Sequence, residues 1–449
     1  MELGGQHIVV VGLGITGIAT ATFCWRRDAR VTAVDAARTP ATEAAAESLR
    51  PLGVEVLLGA RPEACVGEAD LIVLSPGVPH DLPVFREAAV RGVPVIGEIE
   101  LAYRFLQCPI AAVTGTNGKT TTTTLLGEML RASGAAVFVG GNIGEPLIGF
   151  ADGGGAVDWV VAEVSSFQLD SIRRFRPRIG VVLNVSDDHL DRYPDLEAYG
   201  ASKFRLLENQ TPGDVAVLNG DDAFTAARKP PAARRLVFGR GGFDGEGASI
   251  AEDRVRIRME GRAPVELDLT ESPLSGLHNQ ENIAAAALAA LSAGATPEGI
   301  RTAIRGVAGL PHRMEWVATV AGVRYVDDSK ATNVGAVLRA VQGLPGPAVL
   351  IMGGLDKGGS YAPLADLVRE RVRRLVLLGQ AAPVIQEALG GLTETVRAAS
   401  MAEAVGIAAQ AAAPGDTVLL SPACASFDMY KSYAERGADF ARAVRSLGS

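Results

Sequence analysis

Ile110-Ala111-Ala112-Val113-Thr114-Gly115-Thr116-Asn117-Gly118-Lys119-Thr120-Thr121 passes from an apolar run through a Gly/Thr turn into a helical stretch over residues 119–132. A strand, a glycine turn and a helix in that order make the repeating unit of an α/β sheet. The turn falls where backbone amides and a helix N-terminus favour phosphate. Val113 holds the place of the first glycine in the usual GxxxxGK[ST] loop. The chemistry survives that departure: loop amides wrap β- and γ-phosphates, Lys119 neutralises them, and the Thr120 hydroxyl suits Mg²⁺.

On the N-terminal side, apolar runs at 8–11, 31–34, 54–58, 71–74 and 93–96 alternate with Ala-rich stretches of helix length, again an α/β pattern. Gly12-Leu13-Gly14-Ile15-Thr16-Gly17 follows the first run and Asp35 follows the second. That spacing fits a dinucleotide or nucleotide-sugar site, and by itself leaves NAD, or glycines used only for helix packing, open. Gln107-Cys108-Pro109 marks a boundary. Beyond the phosphate loop, strands are expected near 159–164, 179–184 and 215–218, a small antiparallel insertion over 236–269, and a helix over 280–293. Gly309-Leu310-Pro311-His312-Arg313 breaks the pattern, and strands recur at 324–326, 349–352, 375–378 and 417–420.

The reading is therefore α/β with three domains. Residues 1–107 are Rossmann-like, with the dinucleotide or nucleotide-sugar site. Residues 108–311 form a central P-loop ATPase-like domain with a mostly parallel sheet, and residues 312–449 form a Rossmann-like domain. A chain of 449 residues at about 150 per domain agrees with that division.

The formal net charge of −8 supplies no bulk positive field for nucleic acid or an anionic membrane. The longest strictly apolar run, residues 283–291, is short of the ~18 residues a membrane span needs, and the N-terminus lacks a secretory pattern. Cys24, Cys65, Cys108 and Cys424 have neither CxxC spacing nor a local His cluster. A reducing cytoplasm without zinc or disulfides is expected.

Glu163 lies toward the end of a strand, where a carboxylate meets ligands at the carboxyl edge of a parallel sheet. Asn184-Val185-Ser186-Asp187-Asp188-His189-Leu190-Asp191 follows another strand. Acids beside a phosphate loop suggest Mg²⁺, a hard cation suited to oxygen ligands, although any one of them could be a loop cap. In the third unit Asp327-Asp328-Ser329-Lys330-Ala331-Thr332-Asn333, Lys357 in Gly354-Leu355-Asp356-Lys357-Gly358, and Ser421-Pro422-Ala423-Cys424-Ala425-Ser426-Phe427 all follow strands. Taken singly, each is also consistent with a surface turn.

Together, Thr114–Thr120, Glu163-Val164-Ser165-Ser166-Phe167-Gln168, Asp188-His189, Ala201-Ser202-Lys203, His278-Asn279 and, in the third unit, Asp328-Ser329-Lys330-Ala331-Thr332-Asn333 and Ser421-Pro422-Ala423-Cys424-Ala425-Ser426 resemble the Mur ligases. The likeness runs over essentially the whole chain. It implies an ATP-dependent amide ligase of peptidoglycan precursor synthesis, a cytoplasmic monomer with no nucleic-acid partner and no membrane insertion. Its third-unit motifs imply D-glutamate and UDP-N-acetylmuramoyl-L-alanine as substrates; another amino acid, or an NAD-dependent oxidoreductase, is the alternative.

By the same resemblance, Lys119, Glu163, His189, Lys203, Lys330 and Lys357 are catalytic. Gly115, Thr116, Asn117, Gly118, Lys119, Thr120 and Thr121 hold ATP phosphates; Asn279 and Asn282 hold adenine, Arg313 the γ-phosphate and Asp328 the ribose. Ile15, Thr16, Asp35, Arg38 and Gly77 form the UDP pocket, and Asn142 places the muramoyl group. Thr332, Ser426 and Phe427 join Lys330 and Lys357 around D-glutamate. Two Mg²⁺ ions are implied, one on Thr120 and Glu163, the other on His189 and a carbamylated Lys203.

Overall fold

The computed structural model describes residues 1–190, 192–241, 245–274 and 276–448; Asp191, the last acid of its cluster, lies outside them. Three sheets organise the described chain. The first runs in spatial order Glu55–Leu58, Arg30–Asp35, His7–Val11, Leu71–Leu74, Val95–Gly97, all parallel. The second has nine strands: Val265–Asp268, Arg254–Arg258, Gly247–Ala251, Arg234–Gly239, Val215–Asn219, Ile179–Val182, Ile110–Thr114, Trp159–Glu163 and Val137–Gly141. The third runs Glu315–Val320, Val323–Asp327, Thr417–Leu420, Ala348–Gly353, Val372–Leu378, Glu394–Arg397.

Strands His7–Val11, Ile110–Thr114 and Ala348–Gly353 are nearly continuous apolar runs because helices cover both faces of each sheet. The expected antiparallel insertion is not a separate body. Its first strand pairs parallel with Arg234–Gly239, and the next two add antiparallel, so it lengthens the central sheet. Three strands went unrecognised in the sequence, Val137–Gly141, Glu315–Val320 and Glu394–Arg397. All are terminal in their sheets and incompletely buried, so their hydrophobic signal is weak.

By packing, the described chain divides into two compact units. The first holds Met1–Asn184, Gly200–Asp268 and Asn282–Ile304, and the second Val185–Tyr199, Leu269–Glu281 and Arg305–Ser449. Within the first unit the two sheets share one core that includes Phe23, Leu101, Ile148 and Phe175. Helix Ile15–Trp25 packs on helix Leu147–Gly153, and Asp152 of the latter is paired with Arg26 and Arg27. The turn near residue 108 therefore lies inside a continuously packed body.

Two buried acids reinforce that seam. Glu100 accepts the amides of Arg173, Arg174 and Phe175 at 2.8–2.9 Å on Oε2, and Arg104 on Oε1. Glu98 accepts the Ile148 amide at 2.7 Å on Oε1, but its Oε2 is buried without a partner. Burial outweighs the one amide bond and pushes the Glu98 carboxyl up to about 7 from 4.5.

A folded-state carboxyl pKa above the unfolded value stabilises at low pH, and that contribution is lost as pH rises from about 4.5 through about 7. Replacing Glu98 by Gln removes the titration while keeping an acceptor for Ile148. Thermal unfolding followed from pH 3.5 to 8 is expected to show the E98Q chain more stable at pH 8, by up to about 3 kcal/mol, with the difference vanishing below about pH 4.

Candidate active site

Strand Ile110–Thr114 is wholly buried and delivers its carboxyl end to the phosphate loop. Gly118 has φ +85°, and a Cβ there would stand 2.2 Å from Asn282 Oδ1, so the turn into helix Lys119–Ala132 needs glycine. Asn184 braces the loop: its Oδ1 accepts the Asn117 amide at 2.8 Å, its Nδ2 donates to the Asn117 carbonyl at 3.1 Å, and its carbonyl accepts the Thr116 amide at 2.9 Å. The sequence named the segment that Asn184 opens but gave the residue no role. Asn282 also accepts from the Thr122 hydroxyl at 3.3 Å.

Lys119 Nζ donates to the Gly115 and Thr116 carbonyls at 2.8 and 2.9 Å. Lys203, 1% exposed near the end of helix Leu196–Phe204, also reaches the Gly115 carbonyl, at 3.0 Å. Two ammonium nitrogens thus converge on one oxygen. Thr120 and Thr121 sit in the first turn of the helix, and Thr121 Oγ1 is buried with no hydrogen-bond partner.

Glu163 ends strand Trp159–Glu163 and is 2% exposed. Its Oε1 accepts from Asn142 Nδ2 at 2.7 Å, while Oε2 is buried with no partner. A buried, unsatisfied carboxylate oxygen costs free energy unless a cation or donor answers it. The donor set beside the phosphate loop therefore fits Mg²⁺, which takes hard oxygen ligands.

A second cavity of the first unit, about 670 Å³, is lined by Gly12 to Thr16, Asp35, Ser75 to Gly77, and by Asn142 and Gln168. Gly17 is a close-approach glycine: a Cβ would lie 1.8 Å from the Gly12 carbonyl. Ile15, 77% exposed, stands at the N-terminus of helix Ile15–Trp25. Asp35 accepts the amides of Leu13 and Ala37, each at 2.8 Å, and so pins the glycine loop. Arg38 does not line this cavity; it pairs with Glu43 at 2.9 Å. Asn142 both lines the cavity and grips Glu163, so the glycine-motif pocket and the phosphate loop's carboxylate are neighbours.

In the second unit, strands Val323–Asp327, Thr417–Leu420 and Ala348–Gly353 lie side by side, and the loops after them carry the predicted groups. Asp328 accepts the Ser421 hydroxyl at 2.9 Å and the Met314 amide at 3.3 Å. Burial raises its carboxyl to about 7 against the pull of Arg313. Lys330 Nζ stands 5.1 Å from the Tyr433 ring centroid. Lys357 pairs with Asp188 at 3.2 Å, and Asn333 donates to the same carboxylate at 3.1 Å. Burial would raise Asp188, but Lys357 and His189 outweigh it and hold the pKa low. Thr332, Lys357, Asp188 and His189 thereby share one small cavity. Asn279 is buried near the start of helix Leu277–Ser292, Ser426 is buried and Phe427 is 71% exposed.

Arg436, which the sequence reading passed over, is 1% exposed. It donates to the Ser329 hydroxyl and carbonyl at 3.0 and 2.8 Å, and to the Cys424 and Ala425 carbonyls at 3.1 and 3.2 Å. A fifth acceptor, the Gly353 carbonyl, lies at 3.5 Å. One guanidinium therefore ties together the loops that carry Lys330, Lys357 and Ser426. Nothing local in Glu435-Arg436-Gly437 marks it out, because its acceptors come from distant strands.

Three domain families match the chain in order: the MurD-like N-terminal domain of Mur ligases over residues 6–97, the Mur ligase middle domain over 113–290, and the Mur ligase glutamate ligase domain over 312–424. The chain belongs to the Mur ligase family. A protein of Desulfosudis oleivorans named UDP-N-acetylmuramoylalanine--D-glutamate ligase is 51% identical, over 100% of this chain and 98% of its own. One of the same name from Desulfatibacillum aliphaticivorans is 50% identical over 100% of both. In fold, the chain is similar to a pseudomurein peptide ligase type C of Methanothermus fervidus, with TM-score 0.64 and 19% identity, covering 99% of this chain and 100% of the other. It is also similar to UDP-N-acetylmuramate-alanine ligase of Thermotoga maritima, with TM-score 0.59 and 20% identity, covering 98% and 100%.

Lysine cannot reproduce the planar fork of Arg436. The R436K chain is expected to leave several buried carbonyls without donors and to lose about 2–4 kcal/mol of second-unit stability. Urea unfolding followed by hydrogen exchange of the loops around Ser329 and Ala425 reads that loss.

Proposed function

We propose that the chain joins D-glutamate to UDP-N-acetylmuramoyl-L-alanine, with ATP converted to ADP and phosphate, as a single-chain cytoplasmic enzyme of peptidoglycan precursor synthesis. The reading is supported by full-length relatives of that name at about half identity. The observation that carries it is Asn142: it lines the glycine-motif cavity and holds the carboxylate beside the ATP loop. A substrate lying in that cavity leads its far end toward the γ-phosphate.

A bare carboxylate is a poor acyl donor. In the proposed sequence its oxygen attacks the γ-phosphorus, the bond to the β-γ bridging oxygen breaks, and ADP leaves an acyl phosphate. The D-glutamate amine then adds to the acyl carbon, loses a proton, and expels phosphate from the tetrahedral intermediate. Both attacking and leaving groups are anionic in the first step, so catalysis is positioning and charge compensation.

Gly115 to Thr121 cradle the phosphates, and Lys119 turns from loop carbonyls to oxyanions. Thr120 and Glu163 are the residues assigned to Mg²⁺, whose bound charge offsets phosphate repulsion; Lys203, as a carbamate, is assigned to a second ion. Asp35 acts by pinning the glycine loop while Ile15, Thr16 and Gly77 face the UDP. Asn279, Asn282, Arg313 and Asp328 are assigned to adenine, γ-phosphate and ribose as their motifs imply. Lys330, Thr332, Lys357, Ser426 and Phe427 are assigned to D-glutamate, whose two carboxylates need cations and hydroxyls.

Phosphate release with ATP and an amino-acid panel tests the substrate assignment. Turnover is expected only with UDP-N-acetylmuramoyl-L-alanine and D-glutamate together. Equal turnover with L-lysine or diaminopimelate, or none with D-glutamate, would refute it.

The carbamate has its own physical motive. Lys119 and Lys203 both hydrogen-bond the Gly115 carbonyl, which keeps their nitrogens within about 6 Å, and like charges so placed repel in a shielded site. Carbamylation replaces one cation with oxygens suited to Mg²⁺. Both Lys203→Ala and Lys203→Arg are expected to lower turnover roughly 100-fold or more with circular dichroism unchanged. Full activity in the Arg chain would mean that charge alone was needed.

A further inference from the structure

We propose that a groove of about 850 Å³ in the first unit binds a small, multiply charged oxyanion at a site separate from both nucleotide sites. Arg104, Arg174, Arg176 and Arg178 line it, with Tyr103 and Cys108 among the rest of its wall. Its position follows from chain order. Cys108 and Pro109 precede strand Ile110–Thr114, Arg178 precedes Ile179–Val182, and Asp214 precedes Val215–Asn219. These strands are parallel neighbours, so the groove sits at their amino ends while the phosphate loop leaves the carboxyl end. A five-residue strand separates the two by roughly 17 Å.

The walls are built before any ligand arrives. Glu100, fully buried, binds three amides of the turn at residues 173–175 with one oxygen and Arg104 with the other. Arg176 is held by Asp214 through Nε at 2.7 Å and Nη2 at 3.1 Å, and by the Thr211 hydroxyl at 2.7 Å. Two guanidiniums are thus balanced by acids and serve as scaffold. The side chains of Arg174 and Arg178 are exposed and make no hydrogen bond or ion pair with any described residue. Two positive charges remain uncompensated in one concavity, on a chain whose net charge is −8.

Clustered cations repel one another unless an anion joins them, and a guanidinium fork matches phosphate or carboxylate oxygens in pairs. The volume lies in the range of small-molecule sites. The chemistry shared by phosphate esters and polycarboxylates is what the groove recognises: two or more negative charges on a compact body.

Calorimetric titration of the full chain with pyrophosphate, and separately with citrate, tests this. Saturating ADP and UDP-N-acetylmuramoyl-L-alanine occupy the nucleotide sites, and added Mg²⁺ is omitted so that neither probe is consumed by chelation. Saturable binding of at least one probe is expected. In the R174A/R178A chain that affinity should fall at least tenfold, while ligase turnover under ordinary conditions stays within twofold of the parent. Pyrophosphate binding alone identifies a phosphate-ester site, and citrate binding alone a polycarboxylate site. Failure of both probes to bind, or equal binding by the double variant, overturns the proposal.

Discussion

The hydrogen bond from Asn142 to Glu163 is the contact on which the arrangement of the first unit turns. It joins a residue of the glycine-motif cavity to a carboxylate at the end of a buried strand, and leaves that carboxylate's other oxygen unsatisfied. A buried half-satisfied acid is tolerated when the surrounding packing fixes it and function requires it. The shared core of the first two sheets supplies that fixing: the seam is closed by Phe23, Leu101, Ile148 and Phe175 and by the bonds of Glu98 and Glu100. The distance between the glycine loop and the phosphate loop is therefore set by side-chain packing.

The second unit solves the same problem differently. Parallel strands present their functional loops at one edge, but loops held only by their own turns would not keep Lys330, Lys357 and Ser426 in register. The Arg436 guanidinium, buried and charged, binds backbone carbonyls from all three loops, so each loop's position depends on the other two. A charge buried this way yields little net stability, yet it fixes one geometry, because every alternative strands donors or acceptors.

Much of this was legible in the sequence because the informative signals were local. The strand, glycine turn and helix at residues 110–132 are visible as an apolar run followed by Gly and Lys, and the helix Lys119–Ala132 has the expected bounds. What escaped was set by contacts remote in the chain. Asn184 earns its place only by reaching Asn117, 67 residues away, and Arg436 by reaching Ser329, 107 away. Arg38, which the resemblance placed at the UDP pocket, pairs with Glu43 five residues on. Sheet-end strands such as Glu394–Arg397 were missed because polar residues interrupt their apolar pattern.

The central sheet also shows why two kinds of anion site can coexist on one scaffold. At its carboxyl edge the phosphate loop meets the N-terminus of helix Lys119–Ala132, where the helix dipole attracts negative charge with Lys119 and Lys203 beside it. At the amino edge each chain segment enters the parallel strands, and the groove there presents arginine side chains. The cost is mutual repulsion among guanidiniums, and Glu100 and Asp214 cancel it for two of the four while bracing the turns that carry the other two. The acids are thus placed where they stiffen the wall without neutralising the groove.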